Sequence, residues 1–288
     1  MATHPTRWRQ RDNRPEVYNR LVNRLAPLCL LVPLFAACGT RDTSLETELY
    51  KPEPIVDLAG AYTVRLKLRE GDELVYEMHS LDTTRKAVVP GSNEEEGTVT
   101  VEMAVRFLDR VTEVTNSVYT IERTYETPVY KVTATGAYEG QEERIESMRR
   151  DNFPQKQTLR LDDRYRSIDG DAAATGVLPE GAVREGDTWT TEIKNVTNPL
   201  DPASQFNDML PKMVHTVGKV EKLGKWRTIK IESRPEDSSV LEVEQPGVVW
   251  YDLETGVIVQ AHFSVKARGQ NTTARSELKL IEFRRGGR

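Results

Sequence analysis

The sequence predicts an all-β, mainly antiparallel protein: a curved open sheet or half-barrel built from two related β units, with one short helix near residues 202–210. Three observations predict it. Apolar and polar residues alternate with a period of two through long stretches. Clusters of turn-forming residues close those stretches. One ten-residue phrase occurs twice, 115 residues apart.

The alternation is read first. Tyr62, Val64, Leu66 and Leu68 alternate with Thr63, Arg65, Lys67 and Arg69. Val99, Val101, Met103, Val105 and Phe107 alternate with Thr100, Glu102, Ala104 and Arg106, and a third run occupies Val257 to Ala267. Successive side chains of a strand point to opposite faces, so each run predicts one buried and one wet face, the habit of antiparallel sheet. Further strands are predicted over Val118–Thr127, Met213–Leu223 and Trp226–Glu232. The punctuation agrees: Glu70-Gly71-Asp72, Pro90-Gly91-Ser92-Asn93, Asp169-Gly170-Asp171, Glu254-Thr255-Gly256 and Gly269-Gln270-Asn271 are turn clusters.

The predicted helix opens at Asp201, a capping residue, with Pro202 at its first position and Pro211 as its stop. Phe206, Met209 and Leu210 fall on one face. Arg144–Arg150 offers a second, shorter helical turn.

The repeat pairs Arg69-Glu70-Gly71-Asp72-Glu73-Leu74-Val75-Tyr76-Glu77-Met78 with Arg184-Glu185-Gly186-Asp187-Thr188-Trp189-Thr190-Thr191-Glu192-Ile193. A glycine turn followed by a strand whose alternate side chains enter the core explains both copies without invoking function. The repeat divides the body into β unit 1, residues 58–170, and β unit 2, residues 171–285, expected to share one curved sheet.

Ahead of this body lies a different kind of segment. Arg7, Arg9, Arg11, Arg14, Arg20 and Arg24 precede an apolar run from Leu25 to Ala37 that Pro27 and Pro33 interrupt. Cationic, then apolar, then small is the order of a secretory signal. The run is too short for a membrane-spanning helix, which takes roughly 20 apolar residues. Ala36-Ala37-Cys38 resembles the lipobox of bacterial lipoproteins, although Phe35 stands where that pattern carries leucine. The resemblance implies a signal peptide over 1–37, cleavage between Ala37 and Cys38, acylation of the Cys38 thiol, and a mature chain held to the cell envelope by lipid. Gly39 after the cysteine, in place of a retaining aspartate, implies the periplasmic face of the outer membrane. Residues 38–57, polar and closing on Lys51-Pro52-Glu53-Pro54, are expected to be a tether.

The second copy of the repeat, within Leu178–Trp189, and the late strand Tyr251–Val259 resemble phrases of an uncharacterised family of exported β-rich bacterial proteins. At the level of fold the arrangement is similar to lipoprotein-carrier-like half-barrels, and the similarity implies an apolar or amphipathic ligand on one face of the sheet.

Chemistry is sparse. Beyond residue 38 the chain carries 34 basic and 43 acidic side chains, a net charge of −9, which disfavours nucleic acid as a partner. No cysteine follows Cys38, so the body has no disulfide, thiolate metal site or thiol nucleophile. His79, His215 and His262 are isolated and read as strand residues, and no nucleophile elbow, P-loop or dinucleotide fingerprint is present. Glu94-Glu95-Glu96 reads as a solvated loop tip rather than a cation site. Tyr119, Tyr125, Tyr130, Tyr138, Trp226, Trp250 and Tyr251 are candidate groove-lining or core aromatics. No catalytic, metal or cofactor residue is expected. The sequence thus points to a non-enzymatic, lipid-anchored envelope protein that binds an apolar ligand. The alternative is a structural or assembly partner within an envelope complex.

Overall fold

The computed structural model describes residues 48–55, 60–86, 96–169, 178–191, 197–198, 201–205, 212–237, 241–242, 245–267 and 272–287. In chain order the strands are β1 (Pro52–Pro54), β2 (Glu73–Lys86), β3 (Gly97–Thr115), β4 (Val118–Tyr125), β5 (Val129–Gly136), β6 (Lys156–Asp162), β7 (Thr188–Thr191), β8 (Thr197–Asn198), β9 (Asp201–Gln205), β10 (Met213–Leu223), β11 (Trp226–Pro235), β12 (Leu241–Glu242), β13 (Gly247–Asp252), β14 (Ile258–Ala267) and β15 (Thr272–Arg284). The helix α1 (Glu142–Asp151) lies between β5 and β6.

All strands but β8 and β9 belong to one open antiparallel sheet, whose main path runs β1-β10-β11-β13-β14-β15-β2-β3-β4-β6. Apart from β1, the second half of the chain therefore forms one side of the sheet and the first half the other, joined where β15 pairs with β2. Directly opposed residues make a continuous apolar row across seven strands: Val105, Met78, Leu278, Ala261, Val249, Ile231 and Val217. All are buried except Leu278, which is partly so. Cross-strand partners share a face, so this row defines the inner face of the sheet. Burying each large side chain in it contributes roughly 2 kcal/mol.

The two repeat copies are built alike down to individual hydrogen bonds. Gly71 N–H donates to the Val111 carbonyl at 2.8 Å, and Val111 N–H donates back to Asp72 at 2.9 Å. Gly186 and Asp187 hold Val217 by the same pair of bonds, at 2.8 and 2.9 Å. Gly71 and Gly186 have φ of 85° and 86°, a conformation that glycine alone adopts cheaply. Val111 and Val217 each sit at the register shift of their strand, so each turn clasps a bulge. Each clasped strand then turns through a two-residue hairpin, Asn116-Ser117 or Gly224-Lys225, into its neighbour.

Three expectations change. The helix expected over 202–210 is not seen: Asp201–Gln205 is strand β9, paired with β8, and 206–210 lie outside the described residues. Pro202 is tolerated because, among the described residues, β9 pairs with β8 alone, and proline is accepted on an edge strand. Among the described residues the helix that forms is α1, which contains the helical turn expected at Arg144–Arg150, with Glu142 and Glu143 in its first turn and Arg149 and Arg150 in its last, each matching the helix dipole.

Second, Tyr62–Leu68 keeps its alternation as burial, with Val64, Leu66 and Leu68 all in the core, yet it is not a ladder strand. Its amides reach three separate elements. Tyr62 N–H bonds to Val183, Leu66 to Asp163 and Lys67 to Thr255, each at 2.8 Å. It is a strap across the turns that follow β6 and β13 and the segment preceding β7.

Third, the tether is part of the domain from residue 48. β1 pairs with the edge of β10, Tyr50 N–H donates to the Gln260 side chain at 2.7 Å, and Tyr50 OH donates to the Leu280 carbonyl at 3.0 Å.

Candidate functional site

The inner face has two halves of different character. The half beneath the strap is filled by the protein's own side chains. Tyr76 stacks on Phe107 at 5.1 Å between ring centroids. Phe107 meets Tyr125 edge-on at 6.0 Å, and Phe153 touches both Tyr125 and Tyr130 at 6.5 and 6.4 Å. Set among these rings is a buried ion pair: Arg123 donates from Nη2 to Asp109 at 2.7 Å, with its guanidinium 4.4 Å from the Phe107 centroid. Burial works against the Arg123 charge, and Asp109 more than restores it. Burial likewise pushes the Tyr76 and Tyr125 hydroxyls well up, so both stay neutral, and Tyr125 OH donates to Gln157 at 2.7 Å.

The other half, where β2 ends and β3 begins, is only partly covered by described residues. Alternation and register place Val99, Phe263, Met213 and Trp189 on the inner face, all half-buried. Two glycines shape this half. A Cβ at Gly247 would meet the Phe263 ring at 2.6 Å, and one at Gly97 would meet the Tyr138 ring at 2.8 Å. Each ring therefore lies directly over bare backbone, as aromatics do when they cover a strand glycine. Polar groups at this end are hydroxyls, an imidazole and the carboxylate of buried Asp82. His215 bonds through Nδ1 to Ser233 Oγ and through Nε2 to Thr191 Oγ1, both at 2.7 Å, and stacks on Trp189 at 5.1 Å. Burial lowers its pKa to about 4, so it is neutral at pH 7. Helix α1 reaches over the opposite side, where Arg149 meets Asp82 at 3.5 Å.

Such a surface can hold a hydrocarbon or an amphipathic molecule with one hydrogen-bonding end. Among the described residues no group of three or more His, Cys, Asp or Glu is placed to hold a metal ion. His79 and His262, isolated in sequence, flank Glu277 in one cross-strand row on the outer face. Glu277 is engaged there by Arg275.

Of the residues singled out in the sequence, Cys38, Ala37, Glu94 and Glu95 lie outside the described residues. Tyr119 donates to the Leu66 carbonyl at 2.6 Å and pins the strap. Trp250 donates to Glu221 at 2.7 Å, and Tyr251 packs on Tyr165 at 5.8 Å. These three are core residues, whereas Tyr138 and, in part, Tyr130 face the half that described residues cover only partly. The sequence reading missed Phe263, Met213 and Trp189 as site residues. Their signal was the shared parity with Ala261, Val217 and the second repeat turn, which needs the register to be read.

No protein-family model matches the chain, and no curated protein matches it. Among solved structures it is similar to lipovitellin, studied for its lipid–protein interactions, with a TM-score of 0.40 and 11% identity over 77% of this chain and 26% of the other. The chain thus spans about a quarter of the length of that protein. It is also similar to DynF of the dynemicin biosynthesis pathway of Micromonospora chersina, with a TM-score of 0.18 and 12% identity over 86% and 96% of the two chains. A DUF1329 family protein from Desulfovibrio piger aligns at 0.17 and 8% over 75% and 86%. Likenesses this distant carry no argument about what this chain binds.

Proposed function

We propose that the protein is a non-enzymatic, lipid-anchored protein of the cell envelope that binds an apolar or amphipathic ligand on the open half of the inner face. The observation that carries the ligand reading is the contrast within one face. Aromatic packing fills one half, and half-buried Val99, Phe263, Met213 and Trp189 line the other. Binding sites for such ligands are apolar surfaces with a few placed polar groups, here Thr191 and Ser233 beside neutral His215. The anchor reading rests on Ala36-Ala37-Cys38 after the apolar run, and implies attachment through acylated Cys38 on the periplasmic face of the outer membrane.

The test is native mass spectrometry of the full chain extracted from membranes, beside Phe263→Ala and Cys38→Ala variants. A non-covalent adduct of lipid mass that weakens in Phe263→Ala supports ligand binding. An adduct-free protein that also fails to bind a fluorescent fatty acid overturns it. An acyl mass on Cys38 supports the anchor, and an unmodified Cys38 in mature protein sinks it.

A second reading, an assembly partner, is favoured by β5. Among the described residues this strand, mostly Val, Tyr, Thr and Ala with one lysine, Lys131, pairs on one edge only, with β3, and a free edge accepts a partner strand. Thr133→Pro would abolish in-cell crosslinking to an envelope protein if β5 is that edge, and leave it intact otherwise.

A further inference from the structure

The tip of the β10–β11 hairpin and the end of β15 form a patch that ligand binding does not use. Trp226 and Phe283 meet there, 6.2 Å between ring centroids, both half-buried. Each ring carries a cation. The Lys225 ammonium lies 4.8 Å from the Trp226 centroid, and the Arg285 guanidinium 4.7 Å from that of Phe283. A third such pair adjoins them: Lys279 sits 4.5 Å over Tyr50. The Tyr50 ring in turn lies against Gly224 of the hairpin turn, where an added Cβ would meet it at 3.1 Å.

Exposed Glu48 and Glu70 apart, the acids nearby are already engaged. Glu53 is bonded by Lys222 at 3.1 Å, Glu282 by Arg284, Glu73 by Arg110, and buried Asp72 by Arg285 at 2.9 Å. Lys225 is close enough to help hold the Glu282 carboxyl below its ordinary range, after the hydrogen bond from Arg284. Lys225 and Arg227 remain exposed at the tip.

Two further facts say what lies against this patch. The chain beyond residue 38 has a net charge of −9, so an anionic surface repels most of the domain and tolerates only a local cationic face. And residues 48–54, the described stretch nearest Cys38 in sequence, dock beside the patch, because Pro52 pairs with Leu223 and Tyr50 covers Gly224. The ten residues from Cys38 to Glu48 span at most about 35 Å.

We propose that this patch rests in the headgroup layer of an anionic lipid bilayer and fixes which end of the domain faces the membrane. Trp226 and Tyr50, aromatic rings with one polar edge, and lysine and arginine with apolar stems are the kinds of side chain that settle at a membrane–water interface. Anionic headgroups attract the surplus cations. The argument for the anchor's position rests on the lipoprotein reading above. The argument for the patch rests on Trp226, Phe283, Lys225 and Arg285.

The experiment is amide hydrogen exchange on the full chain purified from membranes, in detergent and in vesicles of phosphatidylethanolamine and phosphatidylglycerol, with the mass of the N-terminal peptide read in the same run. Exchange in 223–227 and 281–287 is expected to slow about tenfold in vesicles while α1 is unchanged. Lys225→Glu, a change at an exposed turn, removes that protection without altering exchange in the core strands. An acylated Cys38 with no vesicle-dependent protection at the tip overturns the proposal and spares the anchor. An unmodified Cys38 with protection on added vesicles sinks the anchor and spares the patch. Protection that persists in Lys225→Glu and in pure phosphatidylcholine overturns the anionic-headgroup assignment.

Discussion

Asp72 and Asp187 hold the same place in two copies of one turn, yet one is sealed from solvent and the other exposed. Each accepts the backbone N–H of the arginine three residues upstream, at 2.9 and 2.8 Å. Asp72 also accepts from the Gly286 N–H and from Arg285, both at 2.9 Å, so the C-terminal tail closes over the first turn. Asp72 is 0% exposed, and removing a buried acceptor leaves several donors unsatisfied. Asp72→Ala is therefore expected to cost about 3 kcal/mol, against about 1 kcal/mol for Asp187→Ala. Urea midpoints of the two variants measure the difference, and equal losses would contradict it.

The Asp109–Arg123 pair invites a second comparison. Asp109 is 5% exposed and Arg123 is 9% exposed. Breaking such a pair strands a buried charge, so Asp109→Ala is expected to cost about 3–5 kcal/mol. Replacing both, as Asp109→Leu with Arg123→Met, recovers most of that loss because the surrounding rings are apolar. Thermal melts of the single and double variants decide it; a double variant no better than the single shows that the pair is needed for more than charge balance.

His215 makes stability depend on pH in a definite direction. Its folded pKa is about 4, lowered by burial from the ordinary 6.5. An unfolded chain takes up the proton below about 6.5, and the folded one only near 4. The contribution of neutral His215 is thus whole above pH 6.5 and drains as pH falls towards 4, roughly 3 kcal/mol in all. Chemical denaturation at several pH values should show this slope flattened in His215→Gln. An unchanged slope would place the titrating group elsewhere.

Gln260 anchors the N-terminal segment. Its side chain accepts from the Tyr50 N–H, and it is 2% exposed. Gln260→Leu should free residues 48–55, raising their proteolytic cleavage severalfold with a stability loss of about 1 kcal/mol. Cleavage at the wild-type rate would mean that β1 pairing alone holds the segment.

Much of this architecture was legible in the sequence because period-two alternation reports burial directly. Val99 to Phe107 reads as a strand and is one, and Met213–Leu223 matches β10 at both ends. The same signal misled at Tyr62–Leu68. Alternate burial is there, but the hydrogen-bond partners are two turns and the segment before β7, and no local pattern encodes which element an amide will reach. Asp201-Pro202 carried cap chemistry that outvoted a weak strand preference, and the ribbon won. The repeat was visible as letters. That its aspartates serve as backbone acceptors, and that its glycines clasp Val111 and Val217, needed the register. The open half of the inner face was hidden because its residues come from four strands, β3, β7, β10 and β14, that meet only when the sheet forms.

The strap also sets an order of events. Leu66 waits for a carbonyl 97 residues later in the chain, Tyr62 for one 121 later, and Lys67 for one 188 later, at Thr255. A chain made from its N-terminus delivers the strap first and its last acceptor near the end. Until then those amides stay with water and the strap's leucines have nothing complete to cover. Contacts of such long range form slowly, so the strap works as a seal on the finished article: a chain truncated before Thr255 can form its early hairpins but cannot close them over.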